Sequence, residues 1–285
     1  MGKFSKAPDF LNTEPVSVIN KVSAHLVVFP NAMHAYQSGS CCRIARSLYL
    51  TAAHVVADWL NKFGDSAEIW AVHAEEGPRY SIWTVDCAWI NPLSDLAILH
   101  AKPHNDTAAT DKEWPSLALN LAPPLIGERI VGFGHHSPDQ SITTGPDGAR
   151  HIEVTMPGAA TVGEVREVHH EKRDPVRLNF PCFRVNARFD GGMSGGPVFN
   201  DHGHVCGVIC SNLPPNTEEE EHVSYATTLW PLMATQIMIG TDGKECQPYF
   251  LIELARRGII HAPGHQRVQI TMVNEPESFR VEFRN

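Results

Sequence analysis

The chain has 285 residues, 42% of them hydrophobic and 19% charged, with a formal net charge of −9 at pH 7. That composition is ordinary for a globular protein. The acidic balance without a basic stripe argues against a nucleic-acid partner, and no apolar run is long enough to span a membrane as a helix.

The first residues, "MGKFSKAPDF", lack the apolar core of a signal peptide. Gly2 stands where a myristoylation site would put it, but Lys6 occupies the place that needs Ser or Thr. Seven cysteines, an odd number, fit a reducing compartment, so the expected address is the cytoplasm. Residues 1–19 are set apart as an N-terminal segment.

From there the chain reads as short strands punctuated by Gly, Pro, Asn and Asp. "AHLVVF" (24–29) is a short apolar run. "LYLTAAHVVADW" (48–59) is an apolar strand that leads through Thr51 and two small alanines to His54, at the start of a helical turn. "SIWTVDCAWI" (81–90) alternates, with Trp83, Val85, Cys87 and Trp89 on one face. In "NPLSDLAILHA" (91–101), Asp95 lies between a turn and an apolar strand, where a carboxylate needs a partner. "RIVGFG" (129–134) and "HVCGVICS" (204–211) are further strands. The tail changes period: "PYFLIELARRGII" (248–260) predicts a helix starting at Pro248, and residues 267–284 predict a β-hairpin.

The stretch "GGMSGGPVFN" (191–200) surrounds Ser194 with four glycines. A serine hydroxyl is a poor nucleophile at neutral pH. It needs a base to take its proton and donors to hold the oxyanion that forms. Glycines allow backbone N–H groups to face a substrate carbonyl unobstructed. His54 and Asp95 are the candidates for the base and for the carboxylate that orients it.

"TAAH", "SDLAIL" and "GGMSGGPVF" together resemble the three signatures of trypsin-like (chymotrypsin-fold) serine proteases, in that family's order of His, Asp, Ser. "GFG" (132–134) and "GVICSN" (207–212) resemble its second-barrel strand and its substrate-pairing strand. The resemblance spans about residues 20–240 and is to a stand-alone, intracellular member. It implies that Ser194 attacks the scissile carbonyl, that His54 shuttles the proton and that Asp95 orients the imidazole. The N–H groups of Gly192 and Ser194 would form the oxyanion hole. Cys210, Ser211 and Asn212 would pair with an extended substrate. Arg188 would lie near the specificity-pocket floor and favour an acidic side chain, whereas the Glu218–Glu221 run beside the pocket would favour a basic one.

Other readings carry less. Gly192, Ser194 and Gly196 also satisfy the G-x-S-x-G elbow of α/β-hydrolases, but that fold places its histidine after the serine, among alternating helices. His202, His204, Cys206 and Cys210 are zinc-ligand types. The first belongs to a turn, however, and the two cysteines read as small buried hydrophobes, so no metal and no cofactor is expected. The chain also departs from secreted relatives. Met193 replaces the acid that anchors a cleaved N-terminus, no "IVGG"-like start occurs, and residues 55–58 hold no cysteine that could pair with Cys41 or Cys42.

The expectation is therefore an all-β fold of two six-stranded antiparallel β-barrels (about 20–110 and 120–240), with a helix and hairpin extension over 241–285 packed on the domain. The expected function is that of a serine endopeptidase with a protein or peptide substrate. It would carry out limited regulatory or defence proteolysis of one partner in a bacterial cell, with no membrane or nucleic acid involved. The alternatives are a protease-fold binding module, or an enzyme latent until a regulatory protein partner orders its oxyanion loop.

Overall fold

The computed structural model describes residues 10–12, 18–31, 34–75, 80–104, 114–136, 139–144, 150–155, 157–213, 222–239, 246–272 and 279–284. Two barrels account for most of them. Strand β1 (Phe10–Asn12) comes first and belongs to the second barrel. The first barrel is built from β2 (Ser23–Asn31), β3 (His34–Ala45), β4 (Leu48–Thr51), β5 (Glu68–Ala74), β6 (Tyr80–Ile90) and β7 (Ala97–Pro103), closed in the order β2-β3-β4-β7-β6-β5. Every neighbouring pair is antiparallel.

Apolar strands make this barrel's interior. All four residues of β4 are buried, and Leu26, Ile44, Leu50, Ile98 and Leu99 join Tyr49 and Trp83 in one core. Burying each large apolar side chain contributes about 1.5–3 kcal/mol. The alternation expected over 81–90 does not run through. A bulge between Val85 and Cys87 resets the register, so Trp83 is buried while Cys87 is exposed. Helix α1 (Ala53–Phe63) leaves β4 and buries Ala53, Val55, Val56 and Trp59 on one face.

The second barrel is closed by β8 (Arg129–His135), β11 (Gly158–His169), β12 (Cys182–Val185), β15 (Val223–Thr228), β14 (Val205–Leu213) and β13 (Pro197–Phe199), each antiparallel to the next and β13 returning to β8. Strand β1 adds to β11, Phe10 opposite Thr161, so part of the segment set apart in the sequence is bound to this barrel. A separate hairpin joins β9 (Asp139–Thr144) to β10 (Arg150–Thr155).

In the tail, β16 (Gln236–Ile239) pairs with β17 (Gln247–Phe250), followed by α2 (Leu251–Arg256). The helix is shorter than the sequence predicts. Pro248 lies in β17 opposite Met238, and the Phe250 N–H donates to Glu253 Oε2 at 2.9 Å, which starts the helix only after it. Gly258, at φ 71°, ends it. Strands β18 (Val268–Met272) and β19 (Phe279–Phe283) form the expected hairpin. Val268 and Val281 are buried in the same core as the first barrel and α2, so the extension covers that barrel's apolar surface.

Candidate active site

His54 stands in the first turn of α1, whose N-cap, Ala52, has no side chain able to cap. Asp95 supplies what is missing. Its Oδ1 accepts the His54 backbone N–H at 2.8 Å, and its Oδ2 accepts from His54 Nδ1 at 2.7 Å. One carboxylate therefore satisfies an orphan helix N–H and fixes the ring. Because the carboxylate only accepts, Nδ1 carries the proton and Nε2 is left as the basic nitrogen. The His54 side chain is 42% exposed and that of Asp95 only 10%. Burial works against the imidazolium, but the hydrogen bond and charge of Asp95, with Asp58 adding from further off, outweigh it and raise the His54 pKa above its ordinary value.

Asp95 is held by the turn before it, whose anchor, Asn91, the sequence pattern alone did not single out. Asn91, which is buried, accepts from the Leu93 N–H and the Ser94 hydroxyl, both at 2.9 Å. Its amide nitrogen donates to Pro231 O at 2.9 Å and to Thr235 Oγ1 at 2.8 Å. The "NP" at its head was the readable signal, since Asn favours such turns. Its distant partners were not readable.

Ser194 reaches the same place from the second barrel. The Ser40 N–H of β3 donates to Ser194 O at 2.8 Å. Gly39 makes room for this. A Cβ there would lie 2.7 Å from Ser194 O and 3.0 Å from Val55 Cγ2, so one bare position separates the serine backbone from the residue next to His54. Gly195, at φ 86°, fits as closely on the other side: a Cβ would meet Ser40 O at 2.1 Å and Thr51 Oγ1 at 2.2 Å. The half-buried Ser194 thus lies against the strand ends that carry His54.

Around the serine, the peptide planes are fixed selectively. Met193 N–H donates to Asp190 O at 3.1 Å, and Gly196 N–H to Met193 O at 2.9 Å. Gly192 adopts φ 94°. Among the described residues, the N–H groups of Gly192 and Ser194 donate to no backbone carbonyl or side chain. Met193 is fully buried in the second-barrel core with Phe189, Ile130 and Val198, and its sulfur accepts the Asp190 N–H at 3.2 Å.

The remaining predicted residues divide. The Arg188 side chain does not stand alone. It makes a two-point ion pair with Asp190, Nε to Oδ1 at 2.8 Å and Nη2 to Oδ2 at 2.7 Å. His136 and His222 lie within the field of this pair. Burial lowers both below the usual imidazole value, and Arg188 lowers both further against the pull of Asp190. The Cys210 thiol points inward, donating to Tyr225 O at 3.3 Å. Burial and the nearby Asp95 charge hold its pKa well above the ordinary thiol value. Ser211 and Asn212 pair with β15 on one side of β14, while β13 pairs only as far as Val208 on the other. The Glu218–Glu221 run lies outside the described residues. No group of three or more His, Cys, Asp or Glu side chains among the described residues is arranged to hold a metal.

A family model described as a trypsin-like peptidase domain matches residues 39–208. The chain belongs to this peptidase family. Its barrels are similar to the crystal structure of Deg5, with a TM-score of 0.50 and 16% identity over 74% of this chain and 84% of that one. An inactive-form mutant of Rv3671c from M. tuberculosis H37Rv gives a TM-score of 0.44 and 16% identity over 73% and 82% of the two chains. No curated protein sequence matches the chain. The family match begins at Gly39 and takes in His54, Asp95 and Ser194 together, and the two closed barrels are the architecture it shares with Deg5. Among the described residues no helix is long and apolar enough to cross a membrane.

Proposed function

We propose that this peptidase is a serine endopeptidase that cleaves a protein or peptide substrate through an acyl-enzyme. The observation that carries the reading is the two-point contact of Asp95 with His54 beside a serine whose own N–H and that of Gly192 have no acceptor among the described residues. Ser194 Oγ attacks the carbonyl carbon while His54 Nε2 takes the hydroxyl proton. The oxyanion is held by the N–H groups of Gly192 and Ser194. The C–N bond then breaks as His54 returns the proton to the leaving amine, and water repeats the sequence on the ester. One such donor contributes about 3–4 kcal/mol to lowering the barrier. Ile209 still bonds both ways to Gly195 and Gly196, and beyond it no strand among the described residues pairs with β14 on the serine side, which suits an extended peptide adding as a strand.

The Arg188–Asp190 pair decides how the pocket would read charge. A cation already neutralised by a carboxylate in its own loop does not attract an acidic side chain, so the pocket favours neutral residues. Seven free thiols, five of them buried, support a reducing compartment.

The test is labelling by a fluorophosphonate, which reacts only with an activated serine. The wild-type chain should label and Ser194→Ala should not. An unlabelled wild type, or a labelled Ser194→Ala, overturns the reading.

A further inference from the structure

We propose that Ser40 is the positioning residue that sets the oxyanion loop, in the place where an ion pair would otherwise do so. The inference rests on the reading of Gly192 and Ser194 as oxyanion donors.

The residue before the nucleophile is usually where such a loop could be anchored by charge. Here it is Met193, fully buried among apolar side chains. That side chain fixes the depth of the loop but cannot orient a peptide plane. Gly192, at φ 94° and with no side chain, has wide freedom to turn. Its N–H belongs to the peptide it shares with Gly191, and that N–H is useful only if the loop from the Gly192 carbonyl onward stays put.

Ser40 supplies the missing constraint. It is fully buried. Its hydroxyl donates to Gly192 O at 3.0 Å and accepts the His135 N–H at 2.9 Å, so the proton has one direction to go. Its N–H donates to Ser194 O at 2.8 Å. Its own carbonyl accepts from Thr51 Oγ1 at 2.8 Å, which ties the strand to the residue that leads toward His54. The peptide between Gly192 and Met193 is therefore held at both ends, its C=O by Ser40 and its N–H by Asp190 O. The carbonyls on both sides of Met193 and at Ser194 are all taken: Gly192 O and Ser194 O by Ser40, Met193 O by Gly196. With these carbonyls fixed, the backbone is set on the far side of Gly192 and on both sides of Ser194, and among the described residues the N–H groups of Gly192 and Ser194 are left without an acceptor. Ser40 never touches substrate; it acts through the loop.

The experiment is fluorophosphonate inactivation of the full chain, with kinact and KI measured separately across pH, because the phosphonyl oxygen must enter the same two N–H groups. Losing an oxyanion donor outright costs on the order of 10²–10³-fold, so losing only its anchor should cost roughly 10–100-fold. Ser40→Ala should lower kinact by that factor, with KI within about twofold and the pH dependence of kinact unmoved, since His54 and Asp95 are untouched. Ser40→Cys, similar in shape but a weaker donor, should fall between the two. It carries the test alone if the alanine variant does not fold. Wild-type kinact in these variants, a loss carried by KI, or a shifted pH profile overturns the assignment. Ser194→Ala separates the two claims. If it fails to label while Ser40→Ala labels at the wild-type rate, the serine reading stands and the role of Ser40 falls. If Ser194→Ala labels normally, both fall.

Discussion

Gly191 and Gly195 stand in the same glycine-rich turn, yet replacing each with alanine should have opposite outcomes. At Gly195 the backbone has φ 86°, and an added Cβ would lie 2.1 Å from Ser40 O, 2.2 Å from Thr51 Oγ1 and 3.2 Å from Ala52 N. The left-handed conformation costs an alanine about 1–2 kcal/mol. The first two contacts are far inside van der Waals range and involve backbone and a hydrogen-bonded hydroxyl, so strand or loop must move, at about 1–3 kcal/mol. The sum, about 2–5 kcal/mol, should lower the melting temperature by roughly 5–15 °C. Because what must move is the junction between Ser40, Thr51 and the serine loop, fluorophosphonate labelling should also fall by about 10²-fold or more. At Gly191 nothing lies within 4 Å and the backbone is not left-handed. Alanine there should leave stability within about 0.5 kcal/mol and labelling within a few-fold. Differential scanning calorimetry and labelling rates decide the matter. If Gly195→Ala melts within about 2 °C of the wild type, or Gly191→Ala is equally damaging, the serine loop is not docked on β3 as described.

Two further outcomes follow from the electrostatics. His54 acts as a base when neutral and Asp95 raises its pKa above 6.5, so activity should be lost as pH falls through a midpoint above that value. Asp95→Asn removes the larger raising contributions and leaves burial and the more distant Asp58, so the midpoint should drop while the rate falls about 10⁴-fold, as loss of this carboxylate does in the Ser-His-Asp template; a pH–rate profile with an unmoved midpoint refutes this. Asp190→Asn should take the neutralising carboxylate from Arg188, so that a peptide library cleaved without charge preference at the residue before the scissile bond becomes biased toward Asp and Glu there. An acidic preference already present in the wild type refutes the neutralised pocket.

The three residues proposed to react stood out in the sequence because each sits where local sequence changes character. His54 follows a buried strand and two alanines at a helix start, Asp95 precedes an apolar strand, and Ser194 interrupts a run of glycines. The all-β class was readable from short strands and turn residues, and the two barrels from the family resemblance. What was not readable depends on partners far along the chain. Ser40 lies in "SGSCC", an unremarkable strand interior, and its acceptor Gly192 is 152 positions away. Asn91 reaches Pro231 and Thr235 across 140 and 144 positions. The bulge at Asp86 breaks an alternation that the residues themselves suggest. The tail helix was overextended because Pro248 suits a helix start as well as a strand edge, and pairing with β16 settled the choice. Arg188 was expected to favour an acidic side chain because the sequence pattern did not reveal its pairing with Asp190, two residues on.

These long-range partners share one consequence. His54 and Asp95 belong to the first barrel, Ser194 to the second, and the bonds that hold the serine loop cross between them: Ser40 to Gly192 and Ser194, and His135 N–H to Ser40. Each such hydrogen bond contributes only about 0.5–1.5 kcal/mol to stability. Each barrel is closed by its own strand ladders, and the first barrel's core runs on to Val205 and Val208 of β14. A small shift of the serine loop against β3 would leave the ladders and this shared core intact while releasing the carbonyls of Gly192 and Ser194 together. On the proposed reading, activity is the most sensitive gauge of how the barrels are docked. Low denaturant should abolish labelling of Ser194 well before it exposes the buried Trp59 and Trp83 of the first barrel.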